Sequence, residues 1–325
     1  MNNIIKYYWQ PIIIVILLIV AHFFIPLSFL IEVMLFSIFV MGCNFLLGYG
    51  GLLSFGQPLY LGVGLYATAL YLTYIGQNPI VGIVMGIFVG LLFGFIIGSI
   101  IVHLRSDYFA LANAALNVIG FFMIYDILAD ITNGLDGLWF LTRITPISIL
   151  SLSIDLSNMY HFFIFTIIIF FMVLILTSYI MKSVFGSICL ACINNEDKVR
   201  FLGYSVFKVK LIAFIYATLL SALAGSMYAI SFGFVCPTMM GQEKAGEIVA
   251  TTLLGGVGTL LGPIIGSIII VATKDLASNI IEHWEVLMGI LLILVVLKGE
   301  RGIVGIVNDL YKIEILRKFK NNKGD

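Results

Sequence analysis

From Val33 to Leu104 the chain runs for 72 residues without one Asp, Glu, Lys or Arg. Apolar runs of about 18 residues or more read as membrane helices, because a helix satisfies its own backbone in lipid. The pattern predicts spans at 11–30, 31–47, 58–76, 80–102, 108–128, 159–181, 209–232, 246–273 (in two pieces) and 285–298. The expected fold class is an all-α polytopic membrane protein with about ten transmembrane or partial-membrane helices. Lys6 followed by Ile12–Val20 resembles a signal peptide, but no small-residue cleavage site follows. A retained first span is the better reading.

One stretch breaks the pattern. Leu46–Leu70 is charge-free, yet it holds glycines at 48, 50, 51, 56, 62 and 64, with Pro58 among them. Glycine costs a helix interior about 1 kcal/mol and proline about 3 kcal/mol. Opened backbone at membrane depth is tolerated where it is buried in protein or lines a wet cavity. The expectation is a broken helix beside a translocation path, with Asn44, Tyr49, Ser54, Gln57 and Tyr66 as its polar groups. A flexible connection between two ordinary spans fits the same composition. Leu46-Leu47-Gly48 leading into GGLLSFGQP is echoed by Leu253-Leu254-Gly255 leading into VGTLLGP. Interrupted segments in corresponding halves point to the binding site in repeat-built transporters.

Gly82, Gly86, Gly90, Gly94 and Gly98 recur at four-residue spacing, and Gly258, Gly262 and Gly266 repeat the device. Such stripes let a neighbouring backbone approach closely, as in small-xxx-small interfaces. Close packing is the plain reading; a sliding contact during a transport cycle is the functional one.

Only 10% of residues are charged, against about 25% in soluble domains, so a soluble globular protein is excluded. Lys6, Arg105, the group Lys182, Lys198, Arg200, Lys208 and Lys210, and the tail from Lys298 to Lys323 should be cytoplasmic. Segment 129–158 should face outside. Both termini are then inside, provided that 233–274 enters and leaves again. Trp9, Trp139 and Trp284 fall near span ends, where indole prefers to sit. Zero net charge gives no basis for a nucleic-acid partner; membrane lipid is the expected surround.

Candidate chemistry is sparse. Glu32 sits at a span boundary, where water can solvate it. Glu247 lies near the start of an apolar helix, which suits either helix-end stabilisation or a role in the path. Four isolated histidines and the absence of a P-loop pattern argue against an enzyme and against an ATP site in this chain. No metal pattern occurs; Cys189-x-x-Cys192 puts both thiols on one helical face, as apolar packing would. No buried chain of ionisable residues exists of the kind that proton-driven carriers use, so energy should come from elsewhere and the passenger should be neutral or zwitterionic. In the loop 182–210, Asn194 or Asn195 can cap a short helix ending at Gly203. Val199, Phe201 and Leu202 beside Lys198 and Arg200 suit docking into a partner's groove or lying on the bilayer.

Several stretches resemble a known family. Asn44–Gln57, NFLLGYGGLLSFGQ, is similar to its NLLxGYxGQLSLGH, and Leu104–Ala110 to its LRGxYFA. Thr132–Leu138 resembles TGGSDGL; Asn195-Glu196, Leu202-Gly203-Tyr204 and Lys210–Phe214 resemble its cytoplasmic coupling loop. Gly246-Glu247, Leu254–Thr259 and Gly262-Pro263 resemble its late Gly-rich turn. The chain thus resembles the membrane subunits of bacterial ABC importers for branched-chain amino acids, which belong with the ribose-type permeases.

The resemblance covers residues 44–305 and implies a permease domain over 1–305, with a basic cytoplasmic tail at 306–325, in the bacterial cytoplasmic membrane. It further implies alternating access, a second related permease, two subunits that bind ATP, and an extracytoplasmic substrate-binding protein. Asn195, Glu196, Val199, Phe201, Leu202 and Gly203 would belong to the helix that docks on the ATPase. Two departures stand in the candidate path: Gln57 where a histidine is usual, and Leu52 where a glutamine is usual. The coupling loop also lacks the family's arginines. Urea, a short amide or a nucleoside is the alternative cargo, and a stand-alone channel or secondary carrier is the alternative machine.

Overall fold

The computed structural model describes residues 2–140, 145–149, 152–278 and short pieces between 286 and 305. Trp284, most of the expected span 285–298 and the tail 306–325 lie outside the described residues. The chain begins with α1 (Asn2–Ala21) and α2 (Leu27–Gly48), then α3 (Gln57–Leu70) with a π turn at Tyr71–Ile75. α4 (Pro79–Ile101) and α5 (Ser106–Phe122) follow, the latter with a π turn at Met123–Ile127 and the short α6 (Ala129–Thr132) behind it. Strands β1 (Leu138–Trp139), β2 (Ile147–Ile149) and β3 (Leu152–Ile154) precede α7 (Met159–Lys182). Next come α8 (Val184–Asn194), α9 (Glu196–Phe201), α10 (Val206–Phe232) and β4 (Phe234–Val235). α11 (Gln242–Gly255) and α12 (Gly262–Ser278) follow as two pieces, as the sequence predicted.

Six helices among the described residues are long and apolar enough to cross a membrane: α2, α3 with its π turn, α4, α5 with its π turn, α7 and α10. The expected span 11–30 is corrected. α1 stops at Ala21, and Pro26 N-caps α2, which starts at Leu27 rather than 31. Proline has no N–H for a continuing helix but fits a helix start.

α2 is the axis of the molecule. Every residue from Val33 to Leu46 is buried, which is what a helix that is apolar on all sides requires. α3 and α10 flank it, and glycine sets the spacing. A Cβ on Gly42 would stand 2.8 Å from the Ala217 carbonyl oxygen of α10; on Gly64 it would reach 2.7 Å from Ala222 Cα.

The α4 glycines meet α10 in an antiparallel zipper. Gly98 lies against Phe214, Gly94 against Thr218, Gly90 against Ala222 and Gly86 against Ser226. Both helices thus present one residue per four, and small residues face glycines. The opposite face of α4 leaves Val84, Phe88 and Phe95 exposed, as lipid contact permits. Since lipid is as apolar as leucine, the close backbone approach rather than hydrophobic burial holds such helices together.

At one end of the bundle β1 pairs antiparallel with β4, with Leu138 opposite Val235 and Trp139 opposite Phe234. The Trp139 and Phe234 rings lie 4.4 Å apart. This ties segment 129–158 to the end of α10. At the other end α8 and α9 form the loop between α7 and α10.

The zipper predicts a graded glycine-to-alanine series. Gly86→Ala and Gly94→Ala would press a methyl to 2.7 Å from the Gly64 carbonyl oxygen and 2.9 Å from Thr218 Cβ, costing about 1–3 kcal/mol by overpacking. At Gly82 the nearest atom is the Thr68 methyl, 3.3 Å away, and alanine gains about 1 kcal/mol of helix propensity, so Gly82→Ala should be near neutral. Thermal unfolding midpoints in detergent check the order.

Candidate functional site: two interrupted helices

The first interruption runs from Tyr49 to Gly56, between α2 and α3. Its backbone is not orphaned, since the Gly50 N–H donates to the Phe45 carbonyl at 3.2 Å and the Leu52 N–H to the Leu46 carbonyl at 3.2 Å. Gly51 takes a positive φ of 63°, and Tyr49 stacks on Phe45 with ring centroids 5.2 Å apart. The second interruption is the turn between α11 and α12, with Gly256 at φ 117° and Gly258 at φ 73°. There the Thr259 hydroxyl donates to the Gly256 carbonyl at 2.9 Å and accepts the Gly262 N–H at 3.0 Å.

The two interruptions meet, and Asn44 joins them. Its Nδ2 donates to the Thr259 carbonyl at 2.8 Å, while its Oδ1 accepts the Gly258 N–H at 2.8 Å. A Cβ on Gly48 would stand 2.5 Å from Gly258 Cα. One side chain near the end of α2 thus serves as a two-bonded clamp on a turn more than 200 residues away. Gly258 therefore does not continue a helix stripe, as the sequence spacing predicted. It occupies the turn in a left-handed conformation that glycine adopts without strain. Gly262 and Gly266 do pack, against the Gly256 and Thr251 carbonyl oxygens, and close the α11–α12 hairpin.

The remaining expected path residues divide into separate places. Ser54 Oγ accepts from Asn113 Nδ2 at 3.0 Å, and Tyr60 donates to Asn113 Oδ1 at 3.2 Å. Gln57 Oε1 accepts from Ser221 of α10 at 2.7 Å, while its buried Nε2 has no protein partner. Tyr66 stands nine residues further along α3, its buried hydroxyl also without a protein partner. Glu247 lies beyond the first turn of α11, because that helix starts at Gln242. The macrodipole fades within the first turn. Glu247 instead pairs with Lys244, at a side-chain exposure of 9%.

Sequence reading missed Asn113 and Asn117, both buried on α5, and Ser221. The two asparagines stand four apart in the apolar run ALANAALN, and that spacing was an available signal. Polar side chains in membrane helices bond across to neighbouring helices. Asn117 Nδ2 reaches Gln242 at 3.4 Å, and its Oδ1 has no protein partner. It borders a cavity of about 310 Å³ with Phe121 and Thr238.

In the loop, Asn195 rather than Asn194 caps α9, its Oδ1 accepting the Lys198 N–H at 3.0 Å. Gly203 ends that helix with φ +89°. Phe201 is 89% exposed and Leu202 74%. Val199, expected beside them, is 3% exposed and packs inward. Glu196 is held by Lys210 at 2.6 Å and Arg200 at 3.5 Å. Cys189 and Cys192 are both buried free thiols. Burial, and then the neighbouring Cys192, push the Cys189 thiol up to about 12; burial raises Cys192 as well. Ile193 of α8 packs on Gly51, and Ser106 donates to the Gly51 carbonyl at 3.3 Å. The loop therefore touches the first interruption directly.

Fold and site define a polytopic membrane protein built around interrupted helices. The family described as "Branched-chain amino acid transport system / permease component" matches residues 25–296. The high-affinity branched-chain amino acid transport system permease protein LivM of Escherichia coli (strain K12) is 23% identical over 308 residues, covering 86% of this chain and 70% of LivM. LivH of the same kind of system in Salmonella typhimurium is 30% identical over 141 residues, 43% of this chain and 46% of LivH. The autoinducer 2 import system permease protein LsrC of Photorhabdus laumondii is 27% identical over 153 residues, 44% of this chain and 46% of LsrC. No solved structure matches the chain. The chain belongs to the branched-chain amino acid transport system permease family, and it is a multi-pass protein of the bacterial inner membrane.

Asn44→Ala would strand the Gly258 N–H and the Thr259 carbonyl, each worth about 1–3 kcal/mol when buried and unpaired. The expected outcome is a lower unfolding midpoint and faster proteolysis in the turn 256–261. A second outcome concerns the thiols: at pH 7, maleimide should label Cys189 and Cys192 only slowly in the folded protein and rapidly after denaturation, because the thiolate is the nucleophile. Mass spectrometry of labelled peptides reads both rates.

Proposed function

We propose that the chain is one transmembrane subunit of an ATP-driven importer for branched-chain or similar hydrophobic amino acids. It pairs with a second, related permease and with two subunits that bind ATP, and a soluble substrate-binding protein delivers the cargo from outside. Both termini and the loop 182–210 face the cytoplasm. The family match over residues 25–296 carries this reading.

The geometry supplies a route for coupling. Phe201 and Leu202 form an exposed apolar tip on α9, suited to a groove on the ATPase. Movement of α8 reaches the first interruption through the Ile193–Gly51 contact. Asn44 then carries it to the second interruption. Because both interruptions share one clamp, they move as a unit while α4 and α10 stay zipped. Alternating access is the result, with Ser54 in the first interruption and Gln57 at the start of α3 nearest to the movement.

A second reading keeps the machine and changes the cargo to urea, a short amide or a nucleoside. Gln57 and Leu52, both buried at the first interruption, stand where the family pattern has other residues and favour it.

Uptake by proteoliposomes holding the assembled complex tests the proposal. Leucine should accumulate only with ATP and the binding protein, and Phe201→Ala with Leu202→Ala should reduce transport at least about tenfold without changing membrane insertion. Accumulation that persists with a hydrolysis-dead ATPase would refute ATP coupling. Uptake of urea or a nucleoside in place of leucine would favour the second reading.

A further inference from the structure

On the β1–β4 end of the bundle, opposite α8 and α9, a cavity of about 180 Å³ opens between α2, α3, α10, α11 and α12. Its apolar wall includes Phe36, Leu61 and Phe232, and its charged rim is Glu32, Lys244 and Lys274. Glu32, expected from the sequence to be solvated at a span boundary, faces Lys274 at 3.8 Å. That is loose beside the roughly 2.7–2.9 Å of a charge-assisted N–H···O bond. A carboxylate offers about four lone-pair positions, so Glu32 has capacity for a further donor. Lys244 pairs with Glu247 and places its ammonium 5.5 Å from the centre of the Phe36 ring.

Glu247, paired with Lys244, adds a second carboxylate beside this rim. Half-buried charges in a membrane protein are costly and mark pathways by default. Here three helices contribute both signs around one apolar wall. A cavity of about 180 Å³ has room for one small molecule. The larger cavity beside Asn117 has Glu243 as its charged lining residue and no cation to meet a carboxylate.

We propose that this pocket receives a single α-amino acid as a zwitterion. Lys244 and Lys274 hold its carboxylate, Glu32 accepts its ammonium, and its apolar side chain rests on Phe36 and Leu61. The site rests on the amino-acid reading above and adds to it the residues that recognise the two charged ends. Urea, a short amide and a neutral nucleoside carry no such pair of charges and would leave the rim unused.

The rim could instead be a strut that ties α2 to α12, and a charge swap separates the two roles. In the assembled importer with loaded binding protein, Glu32→Gln and Lys274→Met should each lower ATP-driven L-leucine uptake at least about tenfold, the typical worth of a hydrogen bond to a charged group. The double variant Glu32→Lys with Lys274→Glu restores the pair with inverted polarity. It should recover the thermal stability of the wild type while uptake stays low. Recovery of uptake by the swap, or unchanged uptake in both single variants, overturns the pocket and leaves the cargo reading intact. A wild-type importer that takes up no leucine overturns the cargo reading, and the pocket with it.

Discussion

The structure depends on how opened backbone is kept satisfied where water is scarce. Glycine interruptions at 49–56 and 256–261 free N–H and C=O groups inside an apolar molecule, and each unpaired group there costs several kcal/mol. The solution is mutual. Local turns satisfy most of the groups, and the Asn44 amide takes one donor and one acceptor across the contact. Glycine at 48 and 258 is what lets the two backbones come close enough for that amide to span them.

Around this clamp the same economy recurs. α4 and α10 mesh through glycine facing Thr, Ala and Ser. α3 approaches α10 through Gly64 and Gly225, the latter against the Leu61 carbonyl. Close approach replaces the hydrophobic drive that is missing between helices in lipid. Large apolar side chains are left for α2, buried on every side, and for the outward face of α4. A rigid frame of zipped helices thus carries two interruptions that are tied to each other and, through Ile193, to the loop between α7 and α10.

Much of the site was readable as residue types but not as roles. Asn44 was expected to line a path, yet both ends of its amide are taken up by the second turn. Glu247 looked like a helix-end carboxylate until α11 was seen to start five residues earlier and Lys244 to stand one turn before it. Val199 fell on the expected docking helix, but it is the inward residue of that helix. Asn113 and Asn117 share one face of an apolar helix by their spacing, but the spacing names no partner for either. They matter once Ser54, Tyr60 and Gln242 are seen beside them.

The sequence alone determined the class of protein, the six long spans from α2 to α10 within a few residues, the two interruptions and the loop between α7 and α10, while the first span fell nine residues away from its expected place. These follow from local physics: hydropathy over about 18 residues, the helix cost of glycine and proline, and charge near span ends. Tertiary structure decided which polar groups face which. It joined Asn44 to Gly258, set Glu32 beside Lys274, and turned Gly258 from a stripe position into a turn. Those pairings link residues more than 200 positions apart, and only the packing of α2 against the α11–α12 hairpin brings them within hydrogen-bonding or ionic reach.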